Sequence, residues 1–178
     1  MELFDRLGFS WSRTAVPAGQ RTSVERAAFR YSQALAEFVY DAGALEGNPF
    51  TYPEVQTVLE GITVGGRKLS DQQQIQNLGE AAKRLFSLVR DGAFRLDKST
   101  SDELHRLVAR GEALDPGCFR GEGDPLNVTV WPTVYLGNGE RHWPLWTEED
   151  APELKRVFSE GIEALTSEVS DPRERSLA

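Results

Sequence analysis

Apolar residues fall into helical register soon after the start of the chain. Val24, Ala27, Ala28, Tyr31, Leu35, Phe38, Val39 and Ala42 recur at steps of three and four, the spacing that lines one face of an α-helix. Thr22 and Glu25 stand before that run as a capping box, while Gly43, Gly47 and Pro49 stop it. A long helix, buried on one face, is predicted. Thr51-Tyr52-Pro53-Glu54 then opens a short helix in which Val55, Val58 and Leu59 share a side. The glycine-rich stretch 61–68, GITVGGRK, reads as a connector. Ser70 to Gln73 forms another capping box, and Ile75, Leu78, Ala82, Leu85 and Val89 carry a second long helix to near Asp91. Thr100 to Glu103 repeats the start signal before Leu104, Leu107 and Val108, and Gly111 ends that helix.

The texture changes at Asp115-Pro116-Gly117. Residues 127–146 supply Val128, Val130, Val134 and Tyr135, then Asn138-Gly139, then Trp143 and Trp146. An Asn-Gly pair between β-forming residues is a strong hairpin signal, and Pro132 and Pro144 restrict such strands to an edge. A small exposed hairpin with its turn at Asn138-Gly139 is predicted. Beyond Thr147, Leu154, Val157, Phe158, Ile162, Leu165 and Val169 describe a last amphipathic helix, with Pro152 in its first turn and Asp171-Pro172 as its stop. Residues 1–21 show no sustained period and read as an irregular arm whose aromatics, Phe4, Phe9 and Trp11, dock on the body. The fold class expected is mainly α: a helical bundle of about five helices with one β-hairpin, in a single domain over residues 22–178.

Composition narrows the function classes. The 178 residues are 39% hydrophobic and 27% charged, with 16 Gly and 9 Pro, so the chain is globular and neither collagen-like nor wholly disordered. No run approaches the roughly 18 apolar residues of a membrane span, and the N-terminus is acidic where a signal peptide would be basic. No membrane partner and a cytoplasmic location are expected. With 20 Lys+Arg against 28 Asp+Glu and a net charge of -8, no nucleic-acid partner is expected either. One cysteine, Cys118, and two histidines, His105 and His142, give no zinc-ligand spacing and no Cys/His nucleophile pair. Cys118 reads as a small apolar residue, His105 as a helix-end residue, and His142 as a residue of the hairpin's solvent edge. Gly65-Gly66-Arg67-Lys68 is too short to cradle a phosphate and reads as part of the connector.

One segment asks for more than a turn. Leu45-Glu46-Gly47-Asn48-Pro49-Phe50-Thr51 places an acid ahead of a Gly-Asn-Pro stop that would suffice without it. Together with Leu104-His105 and with Pro116-Gly117-Cys118-Phe119-Arg120 before the hairpin, it resembles the Fic (Fido) family of AMP-transferring enzymes, over roughly residues 23–178. The resemblance implies a mostly helical domain whose hairpin is a flap over the target segment, with Val128, Thr129, Val130 and Trp131 as target-binding residues. It implies transfer of AMP from ATP, with magnesium, to a hydroxyl side chain of a target protein. In family members regulated from the N-terminal side, an inhibitory helix carries Ser or Thr, three residues, and then Glu followed by Gly or Asn. Glu46-Gly47 matches the acidic end of that motif, and Ala42 stands where the hydroxyl would be. The inhibitory role implied for Glu46 is to pair with an arginine of the nucleotide site and displace the γ-phosphate. The other reading open for Glu46 is a residue that caps the adjoining turn or sits in water.

The family's catalytic signature, HPFxxGNGR, occurs nowhere in the 178 residues. Leu136-Gly-Asn-Gly-Glu-Arg141 resembles its end but lacks the preceding His and Phe and lies between strands. No catalytic residue and no metal ligand is assigned. The expectation is the N-terminal and flap portion of a Fic-type protein, ending before the catalytic loop, inactive alone and partnered by its target and by the missing catalytic segment. The alternative is a helical interaction or regulatory module without catalysis, which binds a partner through the hairpin edge and the Glu46 loop.

Overall fold

The structure is a computed structural model that describes residues 3–12, 16, 22–126 and 133–175. It is mainly helical with a small two-stranded antiparallel hairpin, the class expected from the pattern. The elements are α1 (Leu3–Leu7), α2 (Val24–Leu45), α3 (Tyr52–Leu59), α4 (Leu69–Arg90), α5 (Lys98–Val108), β1 (Val134–Tyr135), β2 (Arg141–His142), α6 (Pro152–Glu168) and α7 (Pro172–Arg175). In place of an arm followed by one domain, the chain divides into two compact units, Arg21–Gly117 and Met1–Gln20 with Cys118–Ala178. No helix among the described residues is long and apolar enough to cross a membrane.

In the unit Arg21–Gly117, α4 is the central helix, and α2, α3 and α5 each pack against it. Val39, Phe50, Val55, Val58, Ile75 and Ala82 form the buried core, bordered by Tyr31, Leu35 and Leu78. All of them except Phe50, which lies between α2 and α3, belong to the spaced apolar runs that mark the helices in the sequence. Two glycines set how closely the helices approach: a Cβ at Gly43 would lie 2.9 Å from Ile75 Cδ1, and one at Gly79 would overlap Leu59 Cδ2. Polar groups complete the packing. Asn77, fully buried, donates from Nδ2 to the Val108 and Arg110 carbonyls and accepts from Gln73, so it ties α4 to the end of α5.

The helix starts differ from the boxes read in the sequence. Ser23, not Thr22, caps α2 and accepts from the Arg26 N–H. Lys68, not Ser70, is the N-cap of α4; the Ser70 hydroxyl donates to Asp71, and Gln72 Oε1 turns back to accept from the Val64 N–H in the connector. Asp97, not Thr100, caps α5 by accepting the Thr100 N–H, which frees Glu103 to pair with Arg84 at 2.5 Å. At each site a nearby residue with an extended backbone takes the cap.

In the second unit, residues 3–7 are helical where an irregular arm was expected. Leu3 and Leu7 lie one helical turn apart and, with Trp11, cover Ala164, Leu165 and Val169. Trp11 Nε1 donates to Glu174 at 3.0 Å, and Arg6 pairs with Glu168. Around the start of α6, the Phe119 and Phe158 rings meet edge-on at 5.4 Å, and Arg120 donates to Thr147 Oγ1 and to the Leu145 carbonyl. Lys155 bridges Asp150 and Glu122. Asp150 and Ala151 occupy the left-handed region, at φ 64° and 48°, and turn the chain into Pro152.

Candidate functional site

The Glu46 segment is a helix stop whose backbone N–H groups are bonded. The Glu46 N–H donates to the Ala42 and Gly43 carbonyls, the Gly47 N–H to Ala44 at 3.0 Å, and the Asn48 N–H to Gly43 at 2.9 Å. The last two bonds are the paired closures of a Schellman turn, which needs a left-handed residue after the cap; Gly47, at φ 77°, supplies it. Glu46 therefore occupies the C-cap, contributing through its backbone. Its side chain is exposed and makes no hydrogen bond or ion pair among the described residues.

Asn48 fastens this turn to α4. Its Oδ1 accepts the Phe50 N–H, and its Nδ2 donates to the Asp71 carbonyl at 2.9 Å and to Gln74 Oε1 at 2.8 Å. Phe50 is thereby delivered into the core, 4% exposed, with the Arg67 guanidinium 5.5 Å from its ring centre. The same guanidinium grips Glu54 through two bonds of 2.9 and 2.6 Å, while the Thr51 N–H and hydroxyl donate to the same carboxylate at 2.7 Å. Arg67 first, then the Thr51 groups, hold the Glu54 carboxyl down to about 2, well below its usual 4.5. The helix start at Thr51-Tyr52-Pro53-Glu54 was legible in the sequence. Its arginine was not, because Arg67 lies in a connector that no local signal links to Glu54.

Beside this junction lies a polar cavity of about 220 Å³, lined by Ser70, Asp71, Gln73, Gln74, Arg110 and Glu112. Gln74 spans it, bonded to Asn48 on one side and to Glu112 at 3.4 Å on the other. A nucleotide does not fit these residues. The cavity is smaller than the roughly 300 Å³ at which ligand pockets begin. Its cation, Arg110, is paired with Glu80 at 2.6 Å, and two of its walls are carboxylates. No group of three or more His, Cys, Asp or Glu among the described residues is placed to hold a magnesium ion.

The hairpin pairs Val134 with His142 and Tyr135 with Arg141. The Leu136 N–H donates to the Glu140 carbonyl at 2.8 Å, and the Gly139 N–H to the Leu136 carbonyl, so the chain reverses over Gly137, Asn138 and Gly139. Asn138 stabilises the reversal twice, accepting the Glu140 N–H and donating to its carboxylate. The strands are two residues each, shorter than the span 127–146 suggested, and all four strand residues are exposed. Val128, Thr129, Val130 and Trp131, the target-binding residues implied by the resemblance, lie outside the described residues.

His105 sits in the last turn of α5, and its Nδ1 accepts the Gly117 N–H at 2.9 Å, so it closes the chain after that helix. His142 is exposed on β2, and Cys118 is a free, half-buried thiol. Comparison with family models, with curated proteins and with solved structures finds no match to this chain.

Proposed function

We propose that this chain supplies the regulatory and target-holding portion of a Fic-type AMP-transferring protein. In this reading AMP passes from ATP to a hydroxyl side chain of a target once a segment bearing the HPFxxGNGR loop is present. The observation that carries it is the placement of Glu46: an exposed carboxylate without a cationic partner among the described residues, on a turn whose N–H groups are bonded, at the end of a 22-residue helix. Such a group meets a guanidinium from elsewhere without rearrangement, and a carboxylate–guanidinium pair is a strong, directional one. The hairpin supports the target-holding half, because each strand is paired on one side only among the described residues and its other side is open to an added strand. Val128, Thr129, Val130 and Trp131 are the target-contacting stretch in this proposal. ATP and magnesium are assigned to the loop-bearing segment, since the described residues offer them no cradle.

The test uses ATP labelled in its α-phosphate, with magnesium. The 178-residue chain alone should label neither itself nor other proteins, and the same chain joined to a loop-bearing segment, folded by circular dichroism, should do so. Labelling by the chain alone, or none from the folded joined chain, would refute the reading.

A second reading, an interaction or regulatory module without catalysis, is favoured by a different observation. Glu46, Gly47, Asn48 and Phe50 each have a structural task that needs no active site. It predicts no labelling by the joined chain, and binding of a partner that is lost when the hairpin edge is blocked.

A further inference from the structure

The chain has four asparagines, and their surroundings set one apart. Asn48 precedes Pro49, whose nitrogen has no hydrogen to lose. Asn77 is fully buried, and its amide donates to the Val108 and Arg110 carbonyls. Asn127 precedes the β-branched Val128. Asn138 is exposed and precedes Gly139, which has no Cβ to keep its nitrogen away from the Asn138 side chain. This pair sits in the turn of the hairpin.

We propose that Asn138 is a modification site at which the side-chain amide becomes a carboxyl by deamidation, in a reaction gated by opening of the hairpin. The Gly139 nitrogen loses its proton to hydroxide and bonds to Asn138 Cγ. The Cγ–Nδ2 bond breaks, and Nδ2 leaves as ammonia with a proton taken from water. Water then opens the resulting succinimide at either carbonyl, giving aspartate or isoaspartate. One water is consumed, ammonia is released, and nothing is oxidised or reduced.

The closed turn opposes each part of this step. The Gly139 N–H is engaged by the Leu136 carbonyl at 3.0 Å, so its nitrogen is not free to attack. The Asn138 side chain is held at both ends: its Oδ1 accepts the Glu140 N–H at 3.0 Å, and its Nδ2 donates to Glu140 Oε2 at 2.8 Å. The Glu140 carboxylate also disfavours a negative nitrogen on the neighbouring residue. Closure rests on strands of two residues each, all exposed, and a hairpin of that size is marginal by itself. The reaction therefore runs from the open turn, and its rate follows how often the hairpin opens. The product closes less well. Aspartate at 138 lacks the Nδ2 donor and sets a second negative charge beside the Glu140 carboxylate. Isoaspartate lengthens the backbone of the loop over Gly137, Asn138 and Gly139, which the bond from the Leu136 N–H to the Glu140 carbonyl closes. Each opening that reacts is a one-way loss of the paired edge. The site depends on the turn alone and is independent of the AMP-transfer reading.

Peptide mapping by mass spectrometry tests it on the whole chain, kept in heavy-oxygen water at mildly alkaline pH. The peptide bearing position 138 should convert to aspartate and isoaspartate with heavy oxygen incorporated, while those bearing Asn48 and Asn77 stay amidated. Conversion should be slower than in a free peptide of residues 133–142, which has no closed turn. Glu140→Ala should speed it by about two- to tenfold, the effect of one lost hydrogen bond. Glu140→Gln, which keeps an accepting oxygen, should stay nearer the parent. In Asn138→Asp, the Leu136 N–H should exchange with deuterium faster than in the parent, with the helical circular dichroism unchanged. An amide that persists at 138 while the free peptide converts would overturn the proposal. So would conversion as fast as the peptide's, a rate indifferent to Glu140→Ala, or unchanged Leu136 exchange in Asn138→Asp.

Discussion

Two asparagines hold the helical unit at points where helices end. Asn77 takes up two carbonyls at the close of α5 from a fully buried position, and Asn48 binds the α2 turn to the first turn of α4. Buried carbonyls left without a donor cost their desolvation, so Asn77→Ala should lower unfolding free energy by about 1–3 kcal/mol. Urea denaturation would show this as a reduced midpoint at unchanged slope, and an unchanged midpoint would mean that those carbonyls find another donor. Glu54 supplies a pH-dependent counterpart. Its carboxyl is held at about 2, below 4.5, so the folded state releases its proton more readily than the unfolded chain. The stabilisation is complete above 4.5 and drains away as pH falls towards 2. Glu54→Gln should melt lower than the parent near neutrality, and the two curves of melting temperature against pH should converge in acid. Parallel curves would assign the acid slope to other carboxylates. These residues were unequally visible in the sequence: Glu54 announced itself through Thr51, whereas Asn77 sits one position from Leu78 in an apolar run and carries no mark of its role.

At the scale of elements, α4 governs the packing because three helices share it and because Gly79 lets α3 approach closely. A side chain at Gly79 meets Leu59 at once. Gly79→Leu should cost about 1–3 kcal/mol through overpacking, and substantially less on a Leu59→Ala background, a coupling that a double-mutant cycle in urea reads directly. Equal costs on both backgrounds would place the strain elsewhere. The long helices α2 and α4 were legible because their apolar spacing persists for many turns. Their first residues were not, because Thr22 and Ser70 offered caps that Ser23 and Lys68 took instead. The hairpin turn was legible from Asn138-Gly139 alone. The helix α1 was invisible, since five residues are too few to show a period, and only its packing with α6 accounts for it.

For the whole molecule, the sequence pattern led to a mainly helical fold with a hairpin but not to the division into two units, because that division depends on residues 1–20 grouping with 118–178, far apart in the chain. In the proposed function, the exposed carboxylate at the end of α2 restrains AMP transfer; in the alternative it only follows a helix stop. Structure gives the two roles separate signatures: the stop is built from the backbone of Glu46, Gly47 and Asn48, while restraint would use the Glu46 side chain alone. The decisive measurement is AMP transfer by Glu46→Gly against the parent, in a chain that continues into an HPFxxGNGR-bearing segment, with the melting temperature recorded for both. Loss of a charge-assisted pair of about 1.5–3 kcal/mol, present only in the restrained form, should raise transfer by about ten- to a hundredfold, towards the lower end because Ala42 lacks the hydroxyl, with little change in melting temperature. Unchanged transfer with a lowered melting temperature would show Glu46 to be a capping residue and contradict the regulatory account.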